Sequence, residues 1–148
     1  MSAAARAAAT PEIAWIGRHR FPEARDPGLG DWLGELLAEL APGFDSFGVR
    51  CVGDRTMRRM NLEFRGLDAT TDVLSFPGGV TPDGRHLGDV VLSVPQAIRQ
   101  AAAAGRPAAR ELRALLLHGV LHCLGFDHET DHGEMHKTER GLRRRWLS

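Results

Sequence analysis

The chain has 148 residues, 43% hydrophobic and 26% charged, with 19 basic against 19 acidic side chains. That is the size of one ordinary domain with one core, and the balanced charge excludes the long-range pull of a strongly basic protein on nucleic acid. Two cysteines, Cys51 and Cys123, are too few for a disulfide framework, which fits a reducing cytoplasm, and no segment is apolar for long enough to span a bilayer, so no membrane partner is expected.

In chain order, the Ala-rich residues 1–12 read as a flexible tail and 13–148 as a single domain. IAWIG, from Ile13 to Gly17, suits a strand. Leu29, Trp32, Leu33, Leu36, Leu37 and Leu40 have the spacing of an amphipathic helix that closes at Pro42 and Gly43. FGVRCVG alternates as a second strand. Asp54 is placed to cap the next helix, in which Met57, Met60 and Phe64 form a buried stripe and Arg55, Arg58 and Arg59 lie mostly off it.

TDVLSFP and LGDVVLSV are apolar runs rich in β-branched residues, joined by GGVTPDGRH, a hairpin or looped connection. VPQAIRQAAAAG predicts a helix ending at Gly105, and Pro107 belongs in the first turn of the next helix. That helix, apolar on most sides from Leu112 to Leu124, should run through the core. A polar helix anchored by Met135, Leu142 and Trp146 ends the chain. The expectation is an α+β fold: a small mixed sheet of about four strands with about five helices, and a metal site on a core helix and the following loop.

The metal site rests on HGVLHCLGFDH, His118 to His128. His118 and His122 stand four apart on one helix face and can converge on one ion. Gly125 can take the left-handed conformation that lets the chain double back and bring His128 to the same ion. Two histidines in an apolar helix are often core residues with hydrogen-bond partners, but a third just beyond a helix-ending glycine points to ligation. Three nitrogens about 2.0–2.1 Å from zinc leave one tetrahedral position open, as in catalytic sites. Zinc proteases share this ligand spacing but carry a glutamate base where this chain has Gly119. Cys123 projects away from the pair and reads as a packed thiol. Asp127 is the best candidate to accept the second N–H of a ligand histidine, while His132 and His136 read as a solvated face.

In these residues and in three further motifs the chain resembles the bacterial YbeY endoribonucleases. The match runs through NLEFRGLDATTDVLSFP from Asn61 to Pro77, LGDVVLS from Leu87 to Ser93, HGVLHCLGFDH, and the trailing Met135 and Glu139. The resemblance implies an α+β fold and one zinc ion per chain held by His118, His122 and His128. It also implies cleavage of single-stranded RNA, with roles in three-prime-end maturation of small-subunit ribosomal RNA and in ribosome quality control, so the partners expected are ribosomal RNA and the small subunit. Arg65 matches the arginine that the family places by its cleft, and the catalytic set expected is Arg65, His118 and His122. Two rival readings remain at this point: a zinc-stabilised, non-catalytic RNA- or ribosome-binding factor, and a metalloprotease.

Overall fold

Alternating side chains build the sheet. In strand β1, Glu12–Ile16, exposed and half-buried residues alternate, and Ile13 and Trp15 pack against the main core, as the period of two requires. The computed structural model describes residues 10–127 and 132–147. Most of the expected tail lies outside them, and the sheet begins at Glu12, one residue earlier than the strand read from the sequence.

The other strands are β2, Ser46–Val52, β3, Val73–Thr81, and β4, Gly84–Ser93. They form a four-stranded mixed sheet in the order β1-β2-β4-β3. β1 pairs with β2 and β2 with β4 in parallel, whereas β3 and β4 form an antiparallel hairpin that continues through the Gly-rich connection to a turn after Thr81. β3, which carries Pro77, is therefore an edge strand. A bulge between Ser46 and Gly48 of β2 is strapped by His86, whose Nδ1 lies 2.7 Å from Ser46 Oγ and whose Nε2 lies 3.0 Å from Asp89 Oδ2.

Five α-helices pack around the sheet among the described residues. Helix α1, Pro27–Leu40, starts where the Asp26 carboxylate accepts from Gly28 N at 3.0 Å, and it buries Leu29, Trp32, Leu33, Leu36 and Leu37. Helix α2, Asp54–Arg65, corrects two expectations. Gly53 occupies the N-cap and has no side chain to make a cap bond, while Asp54 is the first residue of the helix and its carboxylate pairs with Arg99 at 2.8 Å. Of the expected stripe Met57 is buried and Met60 is partly buried, but Phe64 is 55% exposed. The helix is centred on a small second cluster with Val52, Leu74 and Val91, and its last turn overhangs the sheet.

Helix α3, Val94–Ala104, runs from a Ser93 cap to Gly105, whose φ of 65° is left-handed. Helix α4, Ala108–Cys123, follows with Pro107 at its N-cap, one place before the first turn. Leu112, Leu116, Leu117 and Val120 are fully buried in α4, each burial contributing about 1.5–3 kcal/mol. Leu116→Asp is therefore expected to leave an uncompensated buried charge costing about 3–5 kcal/mol, a large share of a domain's stability. Circular dichroism on heating checks this, and a mutant melting like the parent would refute the burial.

Helix α5, Glu134–Trp146, is clamped onto α1: Trp32 Nε1 donates to Trp146 O at 2.9 Å, the two indoles meet edge to face, and Arg145 pairs with Glu39. Met135 is buried and Leu142 packs on the core. This clamp points the inner face of α5 at α4.

Candidate active site

The last two turns of α4 present His118 and His122 to a cleft of about 680 Å³. The rings stand edge to face with centroids 4.6 Å apart, and the two Nε2 atoms are 3.1 Å apart. On the far side of His118, Nδ1 lies 2.8 Å from Glu139 Oε1, and Glu139 is 9% exposed. A carboxylate accepts only, so Nδ1 must be the protonated nitrogen, and in the neutral ring this leaves the Nε2 lone pair facing His122. Burial raises the Glu139 carboxyl, but the hydrogen bond from His118 and the charges of His118, Arg143 and His122 outweigh it and hold the pKa below the usual carboxylate value. Asp127 lines the cleft, as expected of a neighbouring residue, but the acceptor on His118 Nδ1 is Glu139. Only its place in the trailing motif marked Glu139 in the sequence, because 21 residues separate it from His118 and the clamp of α5 on α1 brings them together.

Gly119 lies between the two histidines and under the sheet. A Cβ there would meet Val90 Cγ2 at 2.6 Å and Cγ1 at 3.0 Å, with Ser75 Oγ at 3.2 Å. Val90 is fully buried in central strand β4, so the helix approaches the sheet only because position 119 has no side chain. Cys123 faces away into the core, and burial, followed by the charge of Asp89, pushes its thiol up to about 12.

Arg65 ends α2, and Gly66 in the left-handed conformation, φ 72°, turns the chain away after it. Its exposed side chain lines the same cleft as both histidines. The cleft wall between them is formed by Thr71 and Asp72 and by the start of edge strand β3, Val73 to Phe76. There Gln100 Nε2 donates to Asp72 Oδ2 at 3.2 Å and to Glu111 Oε1 at 3.0 Å, tying the wall to helices α3 and α4. His132 and His136 are exposed, as the solvated-face reading has it.

A site for zinc is tested by the donors present. Two imidazole nitrogens 3.1 Å apart fit one ion bonded to both at about 2.0–2.1 Å, and the carboxylate behind His118 is the partner that metal-bound histidines usually have. Among the described residues no three metal-ligating side chains converge. His128, the expected third ligand, lies outside the described residues, and Gly125 just before it takes φ 102°, the conformation expected for the reversal.

The architecture defines a class: an α+β domain whose cleft sets a carboxylate-backed histidine pair opposite an arginine across an edge strand. Residues 31–146 match the family described as Endoribonuclease YbeY. The chain belongs to that family. It is 40% identical to the Endoribonuclease YbeY of Solibacter usitatus over 138 residues, covering 93% of this chain and 88% of the relative. It is 46% identical to that of Helicobacter pylori over 108 residues, covering 73% and 76%. The solution structure of TM1509 from Thermotoga maritima superposes with a TM-score of 0.62 over 90% of this chain and 91% of that one, at 23% identity, and shares the fold. No helix among the described residues is long and apolar enough to cross a membrane.

Proposed function

We propose that this chain is a zinc-dependent endoribonuclease that cleaves single-stranded RNA, with His118, His122 and His128 holding the ion and Arg65 holding the phosphate. The observation that carries the reading is the meeting of Arg65, from the end of α2, with the histidine pair of α4 in one cleft. Membership of a family described as endoribonucleases supports it. The biological substrate proposed is small-subunit ribosomal RNA at its three-prime end, in the cytoplasm, with the ribosomal small subunit as partner and with a part in ribosome quality control.

Zinc, when bound, supplies a Lewis acid that acidifies water toward neutral pH and polarises a phosphoryl oxygen. The chain's own residues do the rest. Glu139 fixes the His118 ring by holding its Nδ1 proton, so that Nε2 offers a lone pair to the cleft. Arg65 offers a planar fork of donors that orients a phosphodiester and offsets charge developing on its oxygens. Val90 bars a side chain from position 119, so the site lacks the glutamate base that a protease of this ligand spacing uses.

The decisive measurement is bound zinc by elemental analysis, paired with cleavage of a single-stranded RNA with and without chelator at equal protein concentration. Loss of cleavage on chelation and recovery with zinc support the reading; cleavage unaffected by verified metal loss overturns it. Arg65→Ala should retain zinc and the melting temperature while kcat/KM falls about 100-fold or more, the scale seen when one transition-state donor is removed. Unchanged turnover would remove Arg65 from the site.

A further inference from the structure

The cleft continues around the edge of β3. On the other face of the sheet, under the overhanging end of α2, lies a second hollow of about 320 Å³ whose walls include Ile16, Met60, Phe64, Phe76 and Val91. Phe64 and Phe76 border both hollows. Their rings pack edge to face, with centroids 5.1 Å apart at 71°. Phe64 is 55% and Ile16 is 60% exposed, which leaves a large apolar surface uncovered where the helical spacing of Phe64 should have buried it. The polar groups in this wall are Arg50, a set of donors, and Asp89, an acceptor held by His86.

We propose that this hollow is a subsite for one nucleobase of the RNA strand in the cleft, an inference that rests on the nuclease reading above. Successive side chains of a strand point to opposite faces. Ser75 therefore faces α4 while Phe76 faces the hollow, consistent with Ser75 near Gly119 and Phe76 packed with the α2 cluster. An RNA strand crossing the β3 edge meets the histidine pair on the α4 side and, on the α2 side, Arg65 beside an aromatic platform. Unpaired bases splay out and stack on aromatic side chains, while Arg50 and Asp89 can satisfy a base edge. A base locked in a duplex cannot turn into the hollow, so the subsite makes cleavage selective for single strands. A protein partner is the rival occupant. The base is favoured because the hollow shares its aromatic wall with the phosphate cleft and has the volume of a small-ligand pocket.

The test walks one abasic position along a single-stranded RNA with a single cleavage site, using the parent and Ala14→Trp. Ala14 is exposed and lines this hollow but not the cleft, so tryptophan plugs the subsite and leaves Arg65 and the histidines in place. In the parent, one abasic position should raise KM about tenfold, the scale of one lost base–aromatic stack, with the same ratio in equilibrium binding by metal-free protein. Ala14→Trp should raise KM about tenfold on intact RNA, keep its melting temperature, zinc content and kcat, and become insensitive to that abasic position. A flat walk, or a plugged variant with the parent's KM, while the parent still cleaves, overturns the subsite and leaves the face to a protein partner. A zinc-loaded parent that cleaves no RNA overturns the nuclease reading, and the subsite falls with it.

Discussion

His122→Ala is expected to lose zinc and RNA cleavage together, with kcat falling by at least about 1,000-fold, the scale of removing a preorganised electrostatic group from the reacting centre. The change takes away one of the two nitrogens that lie 3.1 Å apart and leaves His118 on Glu139, so the helix and its packing stay in place. His122 is partly exposed, and truncating it costs little core. Metal content, cleavage rate and melting temperature should therefore separate: the first two collapse, while the apo protein melts within a few degrees of the apo parent. A variant that kept full cleavage after verified metal loss would sink the catalytic-metal reading. One that lost both because it failed to fold would show far-ultraviolet circular dichroism unlike the parent's, and His122→Gln then repeats the test with a side chain that still fills the space.

The second large effect is at Gly119. Gly119→Ala places a methyl 2.6 Å from Val90 Cγ2, in a core with no slack on the sheet side, and overpacking of this kind costs about 1–3 kcal/mol. For a domain of this size that is about 3–10 °C in melting temperature. Gly119→Glu should be worse, since it adds a desolvated charge to the same collision, and it should yield no peptidase. Thermal melts of Gly119→Ala, Val90→Ala and the double variant decide the matter. If the contact is the cause, the double variant is more stable than the sum of the single changes predicts, by an interaction energy of about 0.5–3 kcal/mol. Strict additivity would show that position 119 is limited by something other than Val90.

Much of the fold was legible because it is written in local periodicity. The leucine spacing of α1 and the apolar run of α4 led to buried faces with the expected members, and Gly105 ended α3 where its conformational freedom allows. What the periodicity could not carry was the partner of each surface. Phe64 continues the stripe of α2 in sequence, yet it emerges where the helix overruns the sheet and is left half in solvent. Asp54 has the chemistry of a cap, but it is the first residue of the helix and its carboxylate pairs with a guanidinium from α3. The histidine pair was legible because its geometry lies within one helix. Glu139 was recognisable as a motif residue but not in its role, since its place behind His118 depends on two tryptophans 114 residues apart. Gly119 drew attention for the glutamate it lacks; only the sheet above it explains why nothing larger fits.

The edge strand has one more consequence, which concerns neighbouring molecules rather than substrate. An open strand edge offers unpaired backbone groups to any other strand, including the same strand of another copy, and is a standing hazard for edge-to-edge aggregation. β3 is blunted along part of its length. Beyond the cleft it carries Pro77, which has no N–H to donate, followed by Gly78 and Gly79, residues poorly suited to extending a ladder. From Val73 to Phe76 the edge is a wall of the cleft, whose lining also includes Phe64 and Arg65 of α2 and His118 and His122 of α4. The strand that walls the cleft on one stretch is thus poorly suited to pairing on the next, and the same edge serves the cleft while resisting extension by a second sheet.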